Sequence, residues 1–201
     1  MSTNKKIRLA TEADVTSILE IYFPFIAETV ITFEYEVPTL TEFSKRMANI
    51  QKKYPWIVCE VNGAVVGYAY ASQFNERAAY DWSIDFSIYI KSQYHRQKIG
   101  KALYFTLCEL LKLQGYYNAY AGIAMPNIKS ESFHQSFGFM PIGVYHNVGY
   151  KFGDWRDVKW FELRIQDYSQ PPLRPQIIDE INNTFEFKTI IQKAEQMISE
   201  P

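Results

Sequence analysis

Two short segments hold the residues best suited to chemistry. The first is Ile88-Tyr89-Ile90, followed a few residues later by Arg96-Gln97-Lys98-Ile99-Gly100-Lys101-Ala102. An apolar strand pattern runs into a basic, glycine-containing loop and then into a helix pattern. The first N–H groups of a helix have no partner inside it, and the peptide dipoles add partial positive charge there. A pyrophosphate can seat on such an end. Gly100 lets backbone approach an anion closely, and Arg96, Lys98 and Lys101 supply positive charge. An ordinary solvated helix start looks the same, so this segment alone names no ligand. The second segment is Asn127-Ile128-Lys129-Ser130-Glu131-Ser132-Phe133-His134-Gln135-Ser136-Phe137-Gly138-Phe139. Asn127 suits the N-cap of a short helix and Gly138 its C-cap.

These segments need elements to position them. Ile7–Ala10 reads as a first strand, and Thr11 with Asp14 as a helix start ahead of Val15, Ile18, Leu19 and Tyr22 at helical spacing. Pro24 is expected to end or kink that helix. Thr39 and Glu42 form a second capping box before the apolar face Leu40, Phe43, Met47 and Ile50. Trp56–Val61 and Val65–Ala71 flank Asn62-Gly63, a strong hairpin signal. Ser83–Ile90 alternates: Ile84, Phe86, Ile88 and Ile90 on one face; Ser83, Asp85, Ser87 and Tyr89 on the other. Ile99–Leu113 is an amphipathic helix ended by Gly115, Ala119–Ala124 a strand, and Ile128–Phe137 a short helix. Gly143–Val148 and Val158–Ile165 form a last strand pair around Gly153-Asp154-Trp155. Beyond Tyr168, Pro171, Pro172 and Pro175 mark a linker, and Phe185–Ile198 suits one more helix. The division is residues 1–168 as one domain and residues 169–201 as a linker and helical appendage. The pattern leaves open whether that tail docks on its own domain. Antiparallel hairpins at both ends of a strand–helix–strand unit give the class α+β with a mixed sheet.

Composition narrows the partners. The 201 residues hold 21 Lys+Arg against 22 Asp+Glu, a net charge of -1, so there is no global basic field to hold nucleic acid or an anionic membrane. Cys59 and Cys108 have no metal-ligand spacing, which disfavours a metal site, and they read as reduced core thiols. No apolar run is long enough to span a bilayer, and no signal-peptide core is present. The expectation is a cytoplasmic protein without a membrane or nucleic-acid partner. The aromatic content of 16% suits a core, a self-association surface or a pocket equally.

The second segment resembles the second acyl-coenzyme A motif of the GNAT N-acetyltransferase superfamily, Asn-x-x-Ser-x-x-(Phe/Leu)-(Tyr/His)-x-x-x-Gly-Phe. The first resembles its pyrophosphate loop, (Arg/Gln)-x-x-Gly-x-(Gly/Ala), read from Gln97 through Gly100 to Ala102. Tyr54-Pro55-Trp56, Ala79-Tyr80-Asp81-Trp82, Gln114-Gly115-Tyr116 and Gly149-Tyr150-Lys151-Phe152-Gly153-Asp154-Trp155-Arg156-Asp157-Val158 look like the phosphinothricin and methionine sulfone/sulfoximine acetyltransferases. The resemblance runs from about Ile7 to Leu163.

What the resemblance implies is a mostly antiparallel sheet with a central splayed strand pair and flanking helices. Acetyl-coenzyme A would enter the splay, its pantetheine paired with backbone around Ile88, Tyr89 and Ile90. Its pyrophosphate would lie on Arg96, Gln97, Lys98, Ile99, Gly100 and Lys101, and Asn127 and Ser130 would hold the pantetheine arm. The family's general base is a Glu on the central strand; here that position is Asp85, one methylene shorter, which favours a water relay. His134 would protonate the leaving thiolate or orient the amine. Phe33 and Tyr89 would wall the acceptor pocket, and Arg77 and Lys151 would meet acceptor oxygens, Lys151 across a homodimer interface. The acceptor would be a small amino acid. A different amine, such as a polyamine or protein N-terminus, or a non-catalytic acyl-coenzyme A-binding module, are the competing readings.

Overall fold

A computed structural model describes residues 4–168 and 171–199; residues 1–3, 169–170 and 200–201, including the expected domain boundary, lie outside the described residues. The strands are β1 (Lys5–Leu9), β2 (Trp56–Val61), β3 (Ala64–Gln73), β4 (Ser83–Ile90), β5 (Asn118–Ala124), β6 (Met140–Lys151) and β7 (Asp154–Arg164). The helices are α1 (Val15–Ala27), α2 (Leu40–Gln51), α3 (Ile99–Gln114), α4 (Ile128–Ser136), α5 (Ile178–Ile181) and α6 (Phe185–Ser199).

Local chemistry sets most of the boundaries. At the β2–β3 turn Asn62 and Gly63 take φ of 52° and 82°, the left-handed pair that a two-residue hairpin needs. The Glu42 carboxylate accepts from the Thr39 N–H at 2.8 Å, and Thr39 Oγ1 accepts from the Glu42 N–H at 3.2 Å, closing the box that starts α2. Gly115, at φ 98°, ends α3. Pro24 does not end α1, which runs on to Ala27. The burial of Ile21, Tyr22 and Ile26 on either side of the proline holds the last turn against the loss of one hydrogen bond.

Among the described residues the strands form one sheet in the order β1-β2-β3-β4-β5-β7-β6. Every neighbouring pair is antiparallel except β4 and β5. The final hairpin is longer than its sequence pattern predicts: β6 and β7 turn at Phe152-Gly153 and pair from Met140 to Lys151. One face of the sheet buries Trp56, Val58 and Tyr68 under Ile18 and Ile21 of α1 and Phe43 and Met47 of α2. The other buries Ile84, Phe86 and Phe161 under Leu103 and Leu107 of α3.

The tail belongs to that second layer. Phe187, Ala194 and Ile198 of α6, with Ile178 and Ile181 of α5, are buried in the same cluster as α3. Lys5 Nζ donates to the Ile198 carbonyl at 2.8 Å, and the Ile7 N–H to Glu195 Oε1 at 3.1 Å. Glu195 thereby takes an N–H of the edge strand β1, where an open ladder would otherwise stand. The expected appendage is therefore packed onto the domain. The cause is the apolar stripe of α6, which has its matching face on α3 and β1.

Candidate active site

The site begins where β4 and β5 part. Their parallel pairing covers only Ser83–Asp85 against Asn118–Tyr120. Beyond it, Phe86–Tyr89 and Ala121–Ala124 face each other across a cleft whose walls include Tyr104 of α3, Asn127, Ser130 and His134 of α4, and Ile31 from the α1–α2 connection. The Lys91 N–H donates to the Val66 carbonyl. Because antiparallel bonds alternate along a strand, Tyr89 and Ser87 turn their backbone toward β3, and Ile90, Ile88 and Phe86 turn theirs toward the cleft. The Ile88 N–H and C=O and the Ile90 N–H have lost the β5 ladder and can pair with an extended ligand, as an added strand would. The expected positions Ile88 and Ile90 thus face the cleft with their backbone. Tyr89 lines it as well, although its ring packs against Tyr22, Phe25 and Tyr68. His95 Nε2 donates to the Ile90 carbonyl at 3.0 Å.

At the wide end of the cleft, Arg96 and Lys98 take φ of 62° and 63°, and α3 starts at Ile99. Left-handed residues at alternate positions turn successive N–H groups inward as an anion nest, continuous here with a helix N-terminus. Arg96, Gln97, Lys98 and Lys101 are exposed around it. Gly100 does not supply the loop's left-handed turn. It lies inside the first turn of α3, where an added Cβ would stand 3.2 Å from the Phe133 ring and 3.3 Å from Ile90 Cδ1. Its missing side chain lets α3 close on β4 and α4.

Asn127 caps α4 by accepting from the Ser130 N–H at 3.2 Å, which leaves its amide NH2 to offer to a ligand. His134 is buried. Its Nδ1 meets the Ser130 carbonyl at 2.7 Å and its Nε2 meets the Tyr104 hydroxyl at 2.8 Å. A carbonyl only accepts, so Nδ1 carries the proton; the neutral ring then accepts at Nε2 from the Tyr104 O–H. Burial, the larger influence, lowers the His134 pKa against the opposing Ser130 hydrogen bond, which keeps the ring neutral.

Asp85 stands at the point of divergence, on the polar face of β4. Its Oδ1 is buried and has no hydrogen-bond partner among the described residues. Desolvation raises its pKa from 3.8 to about 7. A carboxylate in this state takes up a proton readily near neutral pH.

The expected acceptor contacts fare differently. Arg77 is exposed in the β3–β4 connection. Phe33 lies flat against Gly149, whose missing Cβ leaves room for the ring. Lys151 is not an exposed cation. It is 1% exposed, and its ammonium donates to the carbonyls of Ile26 and Thr32 at 2.7 and 2.8 Å. The turn at Phe152-Gly153 directs it back under its own α1–α2 connection, so it braces the segment that carries Ile31 and Phe33. Tyr104, Ile31 and Gly122 also line the cleft, outside the segments the sequence marks. The spacing of Tyr104 four residues after Gly100 was a usable signal; the others depend on which strands become neighbours.

The nest, the cleft backbone and the Asn127 amide fit an acyl-coenzyme A: anion donors at the wide end, strand-like pairing along the arm, and a carboxylate at the narrow end. Comparison with known proteins agrees. Residues 7–160 match the acetyltransferase (GNAT) domain family. The chain is 33% identical to a phosphinothricin N-acetyltransferase of Streptomyces viridochromogenes over 85% of this chain and 93% of that one. It is 28% identical to an L-methionine sulfoximine/L-methionine sulfone acetyltransferase of Salmonella typhimurium over 82% and 97%. A phosphinothricin acetyltransferase from Sinorhizobium meliloti, solved with acetyl-CoA, superposes with a TM-score of 0.79 at 30% identity, covering 89% of this chain and 99% of that one. No helix among the described residues is long and apolar enough to cross a membrane. With its splayed sheet and acyl-carrier cleft, the chain belongs to the GNAT acetyltransferase family, as an N-acetyltransferase that uses acetyl-CoA as its donor.

Proposed function

We propose that this enzyme acetylates the α-amine of a small amino acid whose side chain ends in an oxygen-bearing head group, of the phosphinothricin, methionine sulfone or methionine sulfoximine type. The observation that carries the reading is Asp85: a buried carboxylate with an unpartnered oxygen and a pKa of about 7, where β4 and β5 part. The names of the relatives support the acceptor class.

An ammonium has no lone pair to attack with, so its proton must leave first. Asp85 accepts that proton, directly or through one water. Acetyl-CoA, when bound, supplies the acetyl group as an activated thioester; the amine attacks its carbonyl carbon directly, the C–S bond breaks as the C–N bond forms, and the departing thiolate takes up the second amine proton and leaves as the thiol. The cleft-facing N–H of Ile88 stabilises negative charge developing on the acyl oxygen. Tyr104, oriented by the neutral His134, fixes the floor of the cleft beside them. The exposed Arg77 guanidinium meets the acceptor carboxylate. The reading extends to a cytoplasmic homodimer: both cysteines are free thiols, and the final hairpin exposes Tyr145, Val148, Phe152 and Trp155, an apolar face suited to a second copy.

The test is coenzyme A thiol release from acetyl-CoA with phosphinothricin, methionine sulfone, methionine sulfoximine and glutamate, beside a polyamine and a short peptide. Fast release with one of the first three is expected. Release only with the polyamine or the peptide would overturn the acceptor and keep the chemistry. Binding of acetyl-CoA without release on any amine would overturn the proposed acceptor class.

A further inference from the structure

In-register neighbours in a sheet share a face, so Asp85 of β4, Tyr120 of β5 and Glu162 of β7 point the same way. Two residues along, so do Gly122 and Trp160. Gly122 has no side chain, and the indole of Trp160 occupies that space: a Cβ added at Gly122 would stand 3.3–3.4 Å from its ring carbons. The ring thus reaches back across β5 toward β4. Phe74 stacks on Tyr120 with centroids 4.4 Å apart and meets Trp160 edge-on at 6.4 Å, and Tyr145 lies 5.8 Å from Trp160. The result is an aromatic enclosure beside Asp85.

Four side-chain polar atoms on this face of the sheet are buried without a hydrogen-bond partner among the described residues, Trp56 Nε1, Asp85 Oδ1, Arg156 Nε and Trp160 Nε1; Asp85 Oδ1 and Trp160 Nε1 belong to the β4, β5 and β7 neighbours just described. Leaving a buried donor unmade is unfavourable. Asp85 and Gly122, which carries the indole, are separated by one strand spacing and two residues, about 8 Å between Cα atoms. Hydrogen-bond polarity orients anything lying between them. An indole N–H only donates and a carboxylate only accepts. An ammonium therefore goes to Asp85, and an oxygen goes to Trp160.

We infer that the Trp160 indole N–H donates a hydrogen bond to the head-group oxygen of the acceptor, so that Trp160 is the residue that favours an oxidised head group over a bare thioether. This deepens the acceptor reading above and rests on it. A thioether sulfur is a weak acceptor and leaves the N–H unsatisfied, whereas a sulfone, sulfoximine or phosphinate oxygen satisfies it.

The test compares the full chain with its Trp160→Phe variant, using methionine sulfone and methionine as acceptors at saturating acetyl-CoA. The two acceptors share the amine, the carboxylate and the carbon chain. Phenylalanine keeps an aromatic ring over Gly122 and removes the N–H. The expected result is a loss of about tenfold in kcat/KM for the sulfone, carried by KM, with methionine changed less than about twofold. Equal losses for both acceptors, or no loss for either, would overturn the inference. A second measurement needs no variant. Of the four tryptophan indole N–H resonances, that of Trp160 moves on adding methionine sulfone and stays on adding methionine; a Trp160 resonance indifferent to the sulfone overturns the inference. Wild-type enzyme that acetylates the sulfone while W160F keeps its preference sinks the inference alone. Wild-type enzyme inactive on every oxidised acceptor sinks it together with the reading beneath it.

Discussion

The wide end of the cleft is made of backbone. The nest at Arg96–Lys98, the N-terminus of α3, the Asn127 cap and the freed N–H and C=O groups of β4 all come from short, contiguous stretches. The narrow end is made of residues that converge from strands far apart in sequence: Asp85 on β4, Tyr120 and Gly122 on β5 and Trp160 on β7, with Ile31 of the α1–α2 connection, which Lys151 braces, on the cleft wall with Gly122. Backbone groups suit a ligand that never changes, because their geometry survives substitution. Side chains suit an acceptor that differs between relatives, because one replacement alters size or polarity without moving the scaffold. If this division is right, substitutions at the narrow end change turnover or acceptor choice, and those at the wide end change donor affinity.

The largest effect is expected at Asp85. Asp85→Asn removes the base and lowers kcat by about 100- to 1000-fold, while calorimetry finds acetyl-CoA binding intact. In the parent, kcat/KM rises with pH and levels off above about 7 as the carboxylate ionises. Stability runs the opposite way. Between about pH 4 and pH 7 the folded chain holds a proton that the unfolded chain has released, because burial raises the pKa from 3.8 to about 7. Ionised Asp85 therefore costs stability progressively through that window and fully above it. Asp85→Asn should be more stable than the parent at pH 8, by about 4 kcal/mol in urea titrations, with the gain gone at pH 4. An Asp85→Asn protein as active as the parent would move the base elsewhere.

Next in size is Lys151→Met. It keeps the length of the stem and orphans the Ile26 and Thr32 carbonyls, so a loss of about 2–4 kcal/mol is expected. The α1–α2 connection loosens, and KM for the acceptor rises about tenfold while KM for acetyl-CoA stays within about twofold. Equal rises in both would show that Lys151 braces the whole cleft and would blur the division.

That division also explains what the sequence revealed. The wide end was legible because a cap, a basic loop and a glycine lie within a few residues of one another, and Asp85 was legible through the strict alternation of β4. Trp160 was not. Its role depends on β7, not β6, lying beside β5, a crossover that no local pattern records. Lys151 is expected from the family resemblance to meet acceptor oxygens across a homodimer interface, but the tertiary path of the α1–α2 connection buries its ammonium on two carbonyls. Even at the wide end one detail escaped: Gly100 marked the loop, but the left-handed turns fall on Arg96 and Lys98.

That detail provides the smallest and most discriminating test. A residue with a Cβ at φ 63° carries a conformational cost of about 1 kcal/mol, which glycine avoids while losing more entropy on folding. Lys98→Gly should therefore be neutral to about 1 kcal/mol more stable in thermal melts. It also removes one of the charges around the nest. If the pyrophosphate is held chiefly by the N–H groups of 96–101, KM for acetyl-CoA rises no more than about threefold, since an exposed charge contributes little in salt, and methionine sulfone kinetics do not change. A tenfold rise that grows at low ionic strength and fades in salt would assign the anion to lysine charge instead, and the wide end would then rest on side chains as the narrow end does.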